Sequence, residues 1–225
     1  MGTITILEET TRFPLQKIGQ MAGICWNSPT DNPEKNKKRA IDCIKSGHGR
    51  VMEYASVELI IEGYSARCIR EWYTHIAGGP TRLQESTRYV DESSFPYVMP
   101  PSIAKNEEAK AIYENTMKSI QEGYKALIAL ASPKEDCAMI LPLGMTTKIV
   151  DKRNLRSLID MSKQRMCSRA YWEYRELMRD ICKSLSEYSE EWKWLVDNCM
   201  HPKCDDLGYC PEKKSCGRHA KKEEI

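Results

Sequence analysis

The chain has 225 residues, of which 41% are hydrophobic and 29% charged. That is enough apolar material for one large domain or two small ones, and it excludes disorder as the main state. The formal net charge of +2 gives no global pull toward nucleic acid, and no apolar run approaches the about 18–20 residues of a membrane span. In chain order, Thr3–Leu7 alternates threonine and isoleucine and predicts a short strand. Pro14–Ile24 predicts a helix, Ser28–Pro33 a turn-rich break, and Glu34–Lys45 a helix stopped by Ser46-Gly47. Val57–Ile61 reads as a strand and Ser65–His75 as a helix broken by Ala77-Gly78-Gly79-Pro80. Thr81–Pro101 is largely loop or extended, and Ile103–Ala131 is one long helix. Ser132-Pro133 suggests an N-cap followed by proline at the first helical position. Leu141–Val150 reads as a strand; Asn154–Ser162, Arg169–Ser184 and Glu190–Asn198 read as helices. Strands interleaved with helices predict an α/β class domain over residues 1–198, followed by a small cysteine-rich tail at 199–225.

The N-terminus lacks a basic segment followed by a long apolar stretch, so the reading is no secretory signal and a cytoplasmic, reducing compartment. The ten cysteines are uneven: six lie between Cys25 and Cys182, and four between Cys199 and Cys216. In a reducing compartment thiols serve burial or metal binding rather than disulfides. The tail places Cys199, His201, Cys204, Cys210, Cys216 and His219 in a segment with little else to bury. That set suits a structural metal site, with Cys199, Cys204, Cys210 and Cys216 as ligands and zinc as the metal. The spacings are not those of a Cys-x2-Cys knuckle, and an iron–sulfur cluster or a free-thiol tail are the alternatives.

Two other segments carry chemistry. Arg70–Tyr89 centres on the Gly78-Gly79 turn, flanked by Arg70, His75, Arg82 and Arg88 with hydroxyls at Thr74, Thr81, Ser86 and Thr87. Backbone N–H groups, hydroxyls and guanidinium groups around a glycine turn suit a phosphate; a solvated charged turn is the alternative. Lys148–Lys183 holds ten basic residues against five acidic ones, a pattern that wet helix faces also produce. Arg156 and Arg165 are nine residues, about 2.5 helical turns, apart and need not face the same way. Walker, G-x-G-x-x-G, G-x-S-x-G and H-E-x-x-H motifs are missing from the sequence.

Taken in order, several segments resemble the flavin-dependent thymidylate synthases. They are Ala22–Trp26, Ser46-Gly47-His48, Glu53–Ser56, Ile61–Ser65, Arg70–His75, Ser86–Tyr89, Leu141-Pro142-Leu143, Asn154–Leu158, Arg165 and Ala170–Glu173, collinear over roughly residues 3–198. The resemblance implies a mixed α/β domain with long helices around an antiparallel sheet, assembled as a homotetramer with shared active sites. It implies reductive methylation of dUMP to dTMP, with FAD as flavin, methylenetetrahydrofolate as carbon donor and NADPH as reductant. Membranes and nucleic acid are not expected as partners. Two alternatives are the same fold acting on another pyrimidine nucleotide, and a non-catalytic flavin- or nucleotide-binding protein.

Position by position, the resemblance implies that Ser86 and Arg88 bind dUMP, with Glu71 and Gln84 beside them; Arg82, inside an insertion, is added to this set as a hypothesis. Arg165 contacts and polarises the uracil ring, and His75 lies by the flavin; these two are the catalytic candidates. Ser56, Thr74, Ile76, Asn154, Arg156 and Asp160 fall at flavin-contacting positions. The sequence departs from the family pattern in places. Thr74-His75-Ile76 stands for the R-H-R triplet, and two residues are inserted before Ser86. Tyr54 stands where a second histidine is expected, Ala138 where an arginine faces the dUMP phosphate, Asp160 for an asparagine and Arg169 for a flavin-side histidine. A missing phosphate arginine costs about 1.5–3 kcal/mol unless replaced, and Arg82 is the candidate replacement.

Overall fold

The computed structural model describes residues 2–225. Four strands form one antiparallel sheet in the order β1-β2-β4-β3: β1 is Thr3–Ile6, β2 Ser56–Ser65, β3 Thr81–Gln84 and β4 Thr146–Asn154. Helices alternate with these strands along the chain, so the mixed α/β class expected from the sequence is the class observed. Among the described residues no helix is long and apolar enough to cross a membrane. The chain divides into two units, and the long strands β2 and β4 each pass from one to the other.

Among the described residues, the first unit comprises 2–3, 61–74 and 82–150. It holds α3 (Ala66–Trp72), β3, α4 (Pro101–Ala104), α5 (Glu107–Ala129) and α6 (Lys134–Cys137). Ser65 caps α3 by accepting from the Cys68 N–H at 3.1 Å. The turn after β2 is tied to the start of β4, because the Ala66 and Arg67 N–H groups donate to the carbonyls of Met145 and Leu143. Phe95, Met117 and Met145 form a buried cluster, with Tyr97, Tyr113 and Ile120 packed on it.

The second unit comprises residues 4–60, 75–81 and 151–225. It holds α1 (Pro14–Cys25), α2 (Pro33–Lys45), α7 (Leu155–Arg165), α8 (Trp172–Tyr188), α9 (Glu190–Cys199) and the short α10 (Lys203–Leu207). Residues 199–225 fall within this unit. Gly19 lets α1 approach α2: a Cβ there would stand 1.8 Å from the Asn36 carbonyl oxygen. On α8, Tyr174, Leu177, Met178, Ile181 and Leu185 are buried at helical spacing. Glu191 is buried and reaches the start of α1. Its carboxylate accepts from Leu15 N at 2.8 Å, Gln16 N at 3.1 Å and Gln16 Nε2 at 2.8 Å, satisfying N–H groups that a helix start leaves open.

Three element readings need correction. The helix expected over Ile103–Ala131 is interrupted, because Asn106 leaves helical geometry and caps the Ala109 N–H at 3.0 Å. Pro133, not Ser132, is the N-cap of α6. The strand expected over Leu141–Val150 lies at Thr146–Asn154, because Pro142 and Gly144 form a turn in which Met145 N donates to the Pro142 carbonyl.

Candidate active site

In the second unit, β4 runs directly into α7. Asn154 ends the strand, caps the helix by accepting from Ser157 N at 2.8 Å, and faces the turn at Ala77-Gly78-Gly79. Just upstream, Asp151 and Arg153 are fully buried and joined through two bonds, Nε to Oδ2 and Nη2 to Oδ1, each 2.6 Å. A guanidinium is tolerated there because a bidentate carboxylate pairs it. Arg153 also touches the sulfur of Met161 on α7. The buried pair ties the strand end to the helix it feeds.

At the other end of α7, Arg165 donates from Nε to His75 Nε2 at 2.9 Å. An imidazole nitrogen that accepts carries no proton, so the ring proton sits on Nδ1. The Arg165 guanidinium also lies over the Tyr174 ring, 4.7 Å from its centroid, and His75 meets the same ring edge-on at 6.1 Å. Arg165 and His75, singled out as the catalytic candidates, are therefore direct neighbours, with Tyr174 of α8 as a shared platform. The sequence carried no signal for Tyr174 beyond its place on the buried stripe of α8.

A cavity of about 440 Å³ opens beside His75. Ser157, Asp160, Met161 and Gln164 line it, one face of α7 at i, i+3, i+4 and i+7. Lys203 and Leu207 of α10 line it too. The Ser157 hydroxyl oxygen is buried without a hydrogen-bond partner. Asp160, expected at the flavin, is on this wall, while Ile76, next to His75 in sequence, is 72% exposed. Arg156, nine residues before Arg165, points elsewhere: it pairs with Glu53 at 2.8 Å and lies against Gly49. Ser56 begins β2, half-buried, where its backbone pairs with Thr11.

In the first unit the residues expected at dUMP lie on and around β3. Thr74 Oγ1 donates to the Glu71 carbonyl at 2.7 Å. Arg82 donates to the Tyr73 carbonyl at 3.0 Å, and its guanidinium stacks over the Tyr73 ring at 4.4 Å. Gln84 donates to Thr147 Oγ1 at 3.3 Å. A tight turn follows, in which Tyr89 N and Val90 N donate to the Ser86 carbonyl and Arg88 N to Ser86 Oγ. Arg88 pairs with Glu135 at 2.7 Å, with 64% of its side chain exposed. An exposed pair of this kind is worth at most about 1 kcal/mol.

Of the four cysteines expected to hold a metal, Cys204, Cys210 and Cys216 line one cavity of about 410 Å³ with Cys167 and His219. Cys199 does not line it; that thiol is buried at the end of α9, and burial raises its pKa to about 11.

A family model described as "Thymidylate synthase complementing protein" matches residues 6–189. A flavin-dependent thymidylate synthase of Nitratidesulfovibrio vulgaris is 34% identical over 203 residues, covering 83% of this chain and 78% of that protein. One from Pyrococcus abyssi is 31% identical over 225 residues, covering 95% and 91%. The fold matches the crystal structure of a Helicobacter pylori flavin-dependent thymidylate synthase complexed with FAD and dUMP, with a TM-score of 0.70, 18% identity, and coverage of 88% of this chain and 99% of that one. The chain belongs to the flavin-dependent thymidylate synthase family.

Proposed function

We propose that the chain catalyses reductive methylation of dUMP to dTMP with FAD, taking the carbon from methylenetetrahydrofolate and the reducing equivalents from NADPH. The observation that carries the reading is the Arg165–His75 contact at 2.9 Å, which holds a guanidinium in a fixed place beside a cavity of the second unit.

The His75 cavity fits part of a flavin. It offers apolar contact from Met161 and Leu207 and the buried, unpartnered Ser157 hydroxyl. At Gly79 nothing lies within 4 Å of the place a Cβ would occupy, so a ligand can approach the backbone there. Bound FAD supplies the hydride. The residues supply placement and charge. Ser86 and Arg88 hold the nucleotide phosphate, with Glu71, Arg82 and Gln84 beside them. Thr74 and Ile76 flank His75 on the flavin side, with Ser56, Asn154, Arg156 and Asp160. Arg165 stands at the uracil carbonyl, where negative charge grows as C5 becomes nucleophilic. A cation fixed in advance stabilises that charge without reorganising. Neutral His75 supports this role, because it accepts from Arg165 without adding a second positive charge. Active sites are completed in a homotetramer.

The test is the visible spectrum of the FAD-reconstituted chain before and after dUMP, followed by tritium release from dUMP labelled at C5. Expected are a flavin spectrum that dUMP perturbs and turnover that needs folate and NADPH. Arg165→Ala should lower kcat about 10²–10³-fold. Bound flavin indifferent to dUMP, or an Arg165→Ala variant with normal turnover, would overturn the proposal.

A further inference from the structure

The tail has more chemistry than its folding explains. Between Lys203 and Ile225 only Cys210 is buried, and the regular structure amounts to the five-residue α10 and a three-residue 3₁₀ turn. Fixing a backbone costs about 1–2 kcal/mol per residue, and this segment buries little apolar surface to offset it. Short segments of that kind are commonly held by a metal or a cross-link. Cys199, Cys204, Cys210 and Cys216 are free thiols here.

Donor atoms gather at one point. Cys204, Asp205 and His219 present a thiol, a carboxylate and an imidazole whose ligand atoms all lie within 4.8 Å of one another. Cys204 Sγ is 3.9 Å from Asp205 Oδ1, which is 2.8 Å from His219 Nε2. Zinc–thiolate bonds of about 2.3 Å and zinc–nitrogen bonds of about 2.0 Å place tetrahedral ligand atoms roughly 3.5 Å apart, so small side-chain shifts suffice. A further thiol is at hand, because Cys167, Cys210 and Cys216 line the adjoining cavity.

We propose that Cys204, Asp205 and His219 bind a zinc-class divalent cation, with a cysteine of the same cavity as fourth ligand. A mixed sulfur, nitrogen and oxygen set suits a borderline-soft cation better than calcium or magnesium. The competing occupant of Asp205 is Arg218, which makes bonds of 2.7 and 2.6 Å to it. The Arg218 side chain is 54% exposed, and a surface ion pair is weak beside a metal–ligand bond. The site bears on the cavity beside His75. Lys203 and Leu207 of α10 flank Cys204 and line that cavity, so an ion bound there would fix one of its walls.

The experiment takes the untagged full chain, purified without chelator, and measures metal by mass spectrometry. The stripped protein is then titrated with cobalt(II). Expected are about one zinc ion per chain, a thiolate-to-cobalt charge-transfer band, and at least a 100-fold loss of cobalt affinity in Cys204→Ser and in His219→Ala. Cys199→Ser should bind as the parent does. Far-UV circular dichroism checks that each variant folds, and the parent spectrum decides the matter if one does not. No cobalt band in the parent, bands undiminished in both variants, equal loss in Cys199→Ser, or a brown iron–sulfur chromophore would each overturn the proposal. The readout involves neither flavin nor dUMP, so it stands apart from the methylation reading.

Discussion

Gly78 offers a quantitative test of how the turn at residues 77–79 is held. Its φ is +77°, and a Cβ built on it would stand 2.3 Å from Asn154 Nδ2 and 3.1 Å from Asn154 Cγ. Gly79 also has a positive φ, +61°, but nothing within 4 Å. Gly79→Ala should therefore show only the backbone penalty, about 1–2 kcal/mol for an L-residue in the left-handed region. Gly78→Ala has that penalty and must also push Asn154 aside. Asn154 cannot move without giving up its 2.8 Å bond to Ser157 N, a cap worth about 0.5–2 kcal/mol. The expected total is about 1.5–4 kcal/mol.

The assay is urea unfolding of both variants and of each combined with Asn154→Ala. Removing the Asn154 side chain removes the collision, so in that background Gly78→Ala should fall to the penalty of Gly79→Ala. FAD titration of the same proteins should show Gly78→Ala binding more weakly than Gly79→Ala. Equal destabilisation of the two single variants, or no relief from Asn154→Ala, would refute the contact as the source.

Two further predictions concern buried carboxylates. Glu191→Gln keeps the shape but removes the charge and one acceptor from the three donors at the start of α1; a loss of about 1–3 kcal/mol is expected in denaturant unfolding, and unchanged stability would count against the cap. Glu92 is buried in the first unit, and burial, reinforced by nearby Glu85 and Asp91, pushes its carboxyl pKa up from the usual value. A carboxyl raised on folding opposes stability above its folded pKa, and that opposition fades as pH falls toward the unfolded value. Glu92→Gln should accordingly raise Tm at pH 7, and the gap should close as the parent carboxyl protonates in acid. A Tm difference that does not change with pH would show that the charge is not the cause.

The elements legible in the sequence are those whose hydrophobic period matches their burial. On α8 the apolar stripe and the buried face coincide, and the caps at Asn32, Ser65 and Asn154 mark helix starts. β4 hid for a physical reason. Its buried face is Thr147, Ile149, Asp151 and Arg153, so half of the inward positions are charged and satisfied by each other rather than by apolar packing. Period-two alternation of hydrophobicity cannot report a strand built that way, and the apolar run upstream drew the reading to Leu141. The Asn106 break was visible in principle, as an asparagine followed by two glutamates, but the apolar residues on either side fit one continuous period. Arg165 and His75 came from the order of the family motifs. Their contact spans 90 residues of chain and has no local signature.

Helix α7 explains why those motifs lie where they do. Its eleven residues span about 16 Å. Asn154 at one end meets Gly78, and Arg165 at the other reaches back to His75. The segment from His75 to Gly78 is only three peptide steps long, about 11 Å at full stretch, so the arginine side chain supplies the missing reach. The turn is thereby pinned across the stripe of Ser157, Asp160, Met161 and Gln164 that floors the cavity. Lengthening α7 by one residue would rotate Arg165 by about 100° and break its contact with His75 while leaving the Asn154 cap intact. Shortening the Arg165 side chain would do the same without touching the helix. Isoleucine in place of the second triplet arginine leaves this arrangement unaltered, because the clamp uses His75 and Gly78 and Ile76 points to solvent. The triplet departs from the family pattern at Thr74 and Ile76, and the one position it keeps is the one that α7 holds.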